Sequence, residues 1–74
     1  MLQYEIIIFW SEEDNAYIAH IPELPGCSAH GETYERALEE AQVAMSLWLD
    51  TAKEFGHPIP APARKLVAPA TGGN

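Results

Sequence analysis

Cysteine is nearly absent from this sequence, because Cys27 is the only one, and no disulfide can therefore form within the chain. Long apolar runs are absent too, and none approaches the roughly 20 residues that a membrane-spanning helix needs. The N-terminus lacks the basic and apolar regions of a secretory signal. These absences predict a soluble protein of the reducing cytoplasm that has no membrane partner.

Basic residues are scarce in the body of the chain. Residues 5–54 contain all eleven Asp and Glu residues but only Arg36 and Lys53 as basic residues, and Arg64 and Lys65 follow later. Such an acidic body repels phosphate backbones and attracts basic partners. The charge therefore disfavours unaided nucleic-acid binding, and it is compatible either with a basic protein partner or with a solvated surface that only maintains solubility.

The pattern of apolar residues predicts three strands and then one helix. Alternation of period two indicates a strand at 2–10, the polar cluster 11–15 indicates a turn, and a second strand follows at 16–21. Residues 22–27 are rich in proline and glycine, which restrict the path of the backbone, and a short third strand is expected at 27–31. The first three strands should form an antiparallel sheet.

A long helix is predicted at 34–55. Thr33 is a suitable N-cap, and Gly56 followed by Pro58 forms a C-terminal stop. The helix carries an apolar stripe at three- and four-residue steps that should cover the sheet. The stripe comprises Tyr34, Ala37, Leu38, Ala41, Ala44, Met45, Trp48, Ala52 and Phe55. We assign the aromatic residues Trp10, Tyr17, Tyr34 and Trp48 to the core, because base-stacking surfaces need nearby Lys and Arg.

The fold class expected from this pattern is α+β, with three or four antiparallel strands and one long helix on one face of the sheet. A single domain should span 1–68, with a possible short strand at 65–68 in the order β-β-β-α-β and a disordered tail at 69–74. A chain of 74 residues buries only roughly 60% of its unfolded surface, which leaves stability marginal. Self-association as a homodimer or higher oligomer is therefore predicted. Its expected interface residues are Ile7, Phe9, Val43 and Leu47, since apolar side chains are in excess on two faces.

Several segments together resemble the HicB-like antitoxin family over residues 3–62. These are Asp14-Asn-Ala-Tyr-Ile18, Pro22-Glu-Leu-Pro-Gly-Cys27, Gly31-Glu-Thr-Tyr-Glu35, the alanine-rich helix and Gly56-His-Pro-Ile-Pro60. The resemblance implies a shortened ribonuclease-H-type fold. It also implies a function, in which the antitoxin binds and blocks a small basic HicA-like toxin that cleaves messenger RNA. Fuller members carry a C-terminal DNA-binding module, but residues 56–74 are too short and too proline-rich to form one, so direct DNA binding is not expected.

The candidate chemical residues do not form a convincing catalytic or metal site. The carboxylates offer no convergent set for two divalent ions, and Cys27 with His20 and His30 lacks the fourth ligand of a structural zinc site. We therefore predict no catalytic residue, no cofactor and no metal. Two alternatives remain open, an orphan scaffold domain of the same fold and a residual metal-dependent nuclease. The acidic residues expected to contact a toxin are Glu12, Glu13, Asp14, Glu23 and Glu32.

Overall fold

The computed structural model describes residues 4–62. In this part of the chain, β1 (Ile7–Ser11), β2 (Ala16–His20) and β3 (Ser28–Gly31) precede a single helix, α1 (Tyr34–Glu54). The strands form one antiparallel sheet in the order β1-β2-β3. The helix packs on one face, mainly over β3 and least over β1. The predicted α+β architecture is confirmed, with three strands in the described residues. The predicted strand at 65–68 and tail at 69–74 lie outside them.

The first strand is shorter than the sequence predicts. Ile7 pairs with His20 at the last position of the ladder, and residues 4–6 belong to no strand. Because Ile21 leaves the sheet and Pro22 cannot donate a hydrogen bond, β2 provides no partner for residues 4–6. The Tyr4 hydroxyl instead donates to the carbonyl oxygen of Pro60, which places the proline-rich segment beside the chain that leads into β1.

The loop between β2 and β3 folds back on itself and closes the core. The Ile21 N–H donates to the Cys27 carbonyl oxygen over 3.1 Å, and the Cys27 N–H donates to that of Leu24 over 2.9 Å. Gly26 adopts φ +76°, a conformation that favours glycine. Ile21, Leu24 and Cys27 are all buried, and burial raises the pKa of the Cys27 thiol. The loop is thus part of the hydrophobic core.

Local signals define both ends of α1. The side-chain oxygen of Thr33 accepts a hydrogen bond from the Arg36 N–H over 3.0 Å, as expected of an N-cap. At the other end, Phe55 is the C-cap and Gly56 adopts φ +69°. The Gly56 N–H donates to the Lys53 carbonyl, and the His57 N–H donates to that of Ala52. This pair of bonds is the Schellman arrangement, which satisfies carbonyl groups of the last turn.

The buried face of α1 differs in part from the predicted stripe. Its buried residues are Ala37, Ala41, Met45, Leu49 and Ala52. Leu49 lies in the core although the sequence pattern leaves it off the stripe, whereas Tyr34, Leu38 and Phe55 are exposed. Tyr34 stacks one face of its ring on Tyr17 of β2 and leaves the rest of the ring exposed. The physical reason for Phe55 is length: a helix of 21 residues spans about 31 Å, and strands of four or five residues span about 17 Å at most. The C-terminal end of α1 therefore extends past the sheet.

Candidate protein-binding surface

Four of the five acidic residues that the sequence nominates lie at one end of the sheet. Ser11 pairs with Ala16 next to the β1–β2 turn, and Tyr17 pairs with Gly31 at the end of β3. The turn and the residue after β3 are therefore at the same end. The four exposed carboxylates there are Glu12, Glu13, Asp14 and Glu32. We call this set the acidic end.

Asp14 also shapes the turn in which it lies. Its carboxylate oxygen Oδ2 accepts a hydrogen bond from the Ser11 hydroxyl over 2.9 Å, and its backbone N–H donates to the Ser11 Oγ over 3.3 Å. Asn15 follows with φ +53°, a left-handed conformation that Asn tolerates. Substitution of Glu12 or Glu13 therefore changes the charge of this turn without removing the hydrogen bonds between Ser11 and Asp14.

Glu23 lies at the opposite end of the sheet. It belongs to the loop between β2 and β3, and its side chain is half-buried. Because β2 runs away from the acidic end, its C-terminal loop cannot join the β1–β2 turn. The structure thus separates this residue from the other four nominated carboxylates.

The first turns of α1 add acidic residues that the sequence interpretation did not nominate. Arg36 forms ion pairs of 3.0 Å with both Glu39 and Glu40, and Glu35 is exposed in the first turn. Glu39 and Glu40 follow Arg36 by three and four residues, a spacing from which the sequence could have predicted these ion pairs, because such positions are neighbours on a helix. Arg36 already contacts two carboxylates, so the helix start leaves the acidic end with an excess of negative charge.

Three aromatic side chains pack one against the next beside the acidic end. Trp10 and Tyr17 face each other across β1 and β2 with ring centroids 5.1 Å apart, and Tyr17 and Tyr34 follow at 4.4 Å. Trp10 is 46% exposed and Tyr34 is 54% exposed, so their assignment to the core is wrong. Tyr34 is the first residue of α1, and Trp10 lies on β1, the strand that the helix covers least. Exposed aromatic rings next to carboxylates suit a partner that presents Lys or Arg.

The apolar residues expected at an oligomer interface are exposed on two separate faces. Ile7 and Phe9 lie on the sheet face away from α1, with exposures of 43% and 47%. Val43 and Leu47 lie on α1, with exposures of 56% and 62%. Self-association through these residues stays a prediction.

The described residues contain no arrangement suited to a metal ion. His20 and His30 are exposed, whereas Cys27 is buried in the core. No group of three or more His, Cys, Asp or Glu side chains within residues 4–62 is arranged to bind a metal. No helix in that range has the length and apolar content needed to cross a membrane.

Comparison with known proteins places this geometry in a recognised group. The family model described as HicB-like antitoxin of bacterial toxin-antitoxin system matches residues 4–69. A UPF0150 protein of Synechocystis sp. is 41% identical over 59 residues, which are 80% of each chain. A UPF0150 protein of Thermoplasma acidophilum is 32% identical over 80% of this chain and 84% of that protein. A chain in the solved HicA3 and HicB3 toxin-antitoxin complex matches with a TM-score of 0.69 and 26% identity, over 84% of this chain and 70% of that one.

Proposed function

Since the chain belongs to the HicB-like antitoxin family, we propose that it neutralises a small basic, HicA-like toxin that cleaves messenger RNA. The proposed mechanism is occlusion, in which the chain covers the RNA-binding surface of the toxin and catalyses no reaction. The observation that carries this proposal is the structural match to a chain of a toxin-antitoxin complex over 84% of this chain.

The charge distribution supports an occlusion mechanism. An enzyme that cleaves messenger RNA must hold phosphates, so its binding surface is basic. The acidic end presents Glu12, Glu13, Asp14 and Glu32 together, and residues 5–54 contain eleven acidic residues against Arg36 and Lys53. Complementary charge of this kind speeds encounter and selects the basic partner.

The exposed aromatic residues supply apolar contact area next to these charges. Trp10 and Tyr34 each leave about half of their surface accessible. Trp and Tyr are enriched among the residues that dominate binding energy, because they bury a large area with little loss of side-chain freedom. The acidic end therefore supplies charges that attract a basic partner, and the neighbouring aromatic residues supply apolar area that stabilises the complex.

The proposal includes a cytoplasmic location, because a toxin that cleaves messenger RNA acts where messenger RNA is translated. It also includes self-association of the chain. Exposed Ile7 and Phe9 support this part, since adjacent apolar side chains on one sheet face are a common interface feature.

Co-expression tests the proposed function directly. The probe is the product of an adjacent reading frame that codes for a small basic protein. Expression of that product alone should arrest growth and degrade messenger RNA, and co-expression of this chain should restore growth and yield a co-purified complex. Purified chain should inhibit RNA cleavage stoichiometrically. Continued growth arrest despite abundant, folded chain would contradict the antitoxin assignment.

A further inference from the structure

A groove runs along the outer edge of β3, between that strand and α1. Its volume is about 820 Å³, and its floor is formed by the strand residues from Ser28 to Gly31. The helix side of the groove consists of Arg36, Glu40, Val43, Ala44 and Leu47. Among residues 4–62, β3 pairs only with β2, so no strand of the described chain lies against its outer edge.

The helix packs closely on β3 beside this groove. Gly31 lies so near the helix that a Cβ there would be 2.5 Å from the Ala37 nitrogen. The helix therefore sits directly over β3, and Val43 and Leu47 lie on its flank beside the groove. Natural edge strands are commonly protected by Pro or by charged residues, especially Lys. The sequence Ser-Ala-His-Gly of β3 contains no Pro, Lys, Arg, Asp or Glu.

The two halves of the groove differ in chemistry. Glu32 and Glu40 lie in the half next to the start of α1, where Arg36 is already paired with Glu40. Val43 and Leu47 form the other half and are 56% and 62% exposed. The groove therefore changes from acidic to apolar along its length.

This asymmetry argues against a second copy of the chain as the occupant. A two-fold axis that paired β3 with its own copy would make the two strands antiparallel. The apolar half of one groove would then face the acidic half of the other. The groove suits a different protein that is basic at one end and apolar at the other.

We propose that an extended basic segment of the toxin binds this groove and adds to the sheet as a strand beside β3. Backbone hydrogen bonds to the β3 edge would hold the segment, as in other cases of strand addition. Its Lys or Arg side chains would lie near Glu32 and Glu40, and an apolar side chain would lie against Val43 and Leu47. This inference rests on the proposed function and specifies a surface through which the partner is held.

Paired aspartate variants test the groove with matched charge. The test variant is Val43→Asp with Leu47→Asp, and the control is Gln42→Asp with Ser46→Asp. All four positions are exposed on α1, and each pair adds the same charge, but only the first pair lines the groove. With the co-purified basic product as the probe, we expect the test pair to weaken binding about thirtyfold or more, in the range of residues that dominate an interface. The control should stay within about threefold of the wild type, a difference of less than one kcal/mol.

Hydrogen exchange of the same complex provides the second measurement. Strand addition should slow exchange of amides within residues 28–31 when the basic product binds.

Equal binding by the test and control pairs, together with unchanged exchange at β3, would overturn the groove proposal and leave the antitoxin function intact. Conversion of a wild-type dimer to monomer by the test pair, with unchanged toxin binding, would overturn it in favour of a second copy. If truncation after residue 62 abolishes the slow exchange of the β3 amides, the chain's own C-terminal residues, and not the toxin, would be identified as the occupant. Failure of the wild type to bind any adjacent basic product would overturn both proposals.

Discussion

The indole nitrogen of Trp48 donates a hydrogen bond to the carbonyl oxygen of Pro25 over 2.9 Å. This bond joins the C-terminal half of α1 to the loop between β2 and β3, 23 residues earlier in the chain. Leu24 and Cys27, on either side of the bonded segment, are buried in the core. Trp48 therefore stabilises the position of the β2–β3 loop, which closes one end of the core.

The change Trp48→Phe should destabilise the fold modestly. Phenylalanine retains an aromatic ring but cannot donate, so the Pro25 carbonyl loses its protein partner. We expect the free energy of unfolding to fall by about 0.5–1 kcal/mol, as for a partly solvated hydrogen bond. Urea denaturation measures this change, and the amides of Leu24 and Cys27, which donate hydrogen bonds within this loop, should exchange faster. Ser46→Ala, at an exposed position on α1, is the control and should leave both measurements unchanged.

Gly31→Ala should be more damaging than Gly26→Ala, although both add one methyl group. A Cβ at Gly31 would lie 2.5 Å from the Ala37 nitrogen and 2.7 Å from the Arg36 carbonyl carbon, so the helix would have to move away from β3. At Gly26 nothing lies within 4 Å, and the cost comes only from φ +76°. We expect losses of about 2–3 kcal/mol for overpacking and about 1 kcal/mol for the left-handed conformation. Thermal denaturation compares the two, and the reverse order would contradict the close packing of β3 and α1.

Reversal of Glu12 and Glu13 to lysine should slow toxin capture. These residues lie at the acidic end and make none of the turn hydrogen bonds that Ser11 and Asp14 form. We expect the association rate constant to fall about tenfold at low salt, with little change in dissociation, because exposed charges act mainly on encounter. Stopped-flow or surface-binding kinetics measure both constants. Asp50→Lys with Glu54→Lys makes the same charge change on α1 away from this end, and an equal fall there would show that only total charge matters.

The Cys27 thiol should react slowly in the folded protein. It is 3% exposed, and burial raises its pKa, so both access and thiolate formation are suppressed. At pH 8 we expect alkylation about a hundredfold slower than in urea, because a pKa shift and exclusion of reagent act together. Equal rates in the folded and unfolded states would contradict burial of this loop.

The same thiol should make stability depend on alkaline pH. Above the ordinary thiol pKa, the unfolded chain has released its proton while the folded chain still holds it, so stability falls as pH rises there. Below that pKa the contribution is fully present. The Cys27→Ala variant should lack this component, and the difference between the two urea titrations at neutral and alkaline pH isolates it from other titrating groups.

The sheet face that carries Ile7 and Phe9 should mediate self-association. Both side chains are more than 40% exposed, and threonine at each position would retain strand propensity while removing apolar area. We expect sedimentation to show an oligomer for the wild type and a smaller species for Ile7→Thr with Phe9→Thr. Leu38→Thr, at an exposed apolar position of α1 outside the predicted interface, is the control and should preserve the oligomer. A monomeric wild type at tens of micromolar would disprove self-association.

The sequence determined the features that depend on neighbouring residues. Thr33 and Gly56 set the ends of α1 because caps act through hydrogen bonds within a few residues. Period-two alternation indicated the hairpin, and the count of charges made the body acidic regardless of the fold. The family resemblance also rested on local segments such as Pro22-Glu-Leu-Pro-Gly-Cys27.

Only the tertiary structure decided which residues share a surface. The antiparallel register brought Glu32 to the Glu12–Asp14 turn and placed Glu23 at the far end. The length of α1 relative to the strands left Phe55 exposed, and the packed face of the helix buried Leu49. Burial depends on which elements overlie each other across many residues of separation, and hydrophobic periodicity along one segment carries no information about where its partner ends.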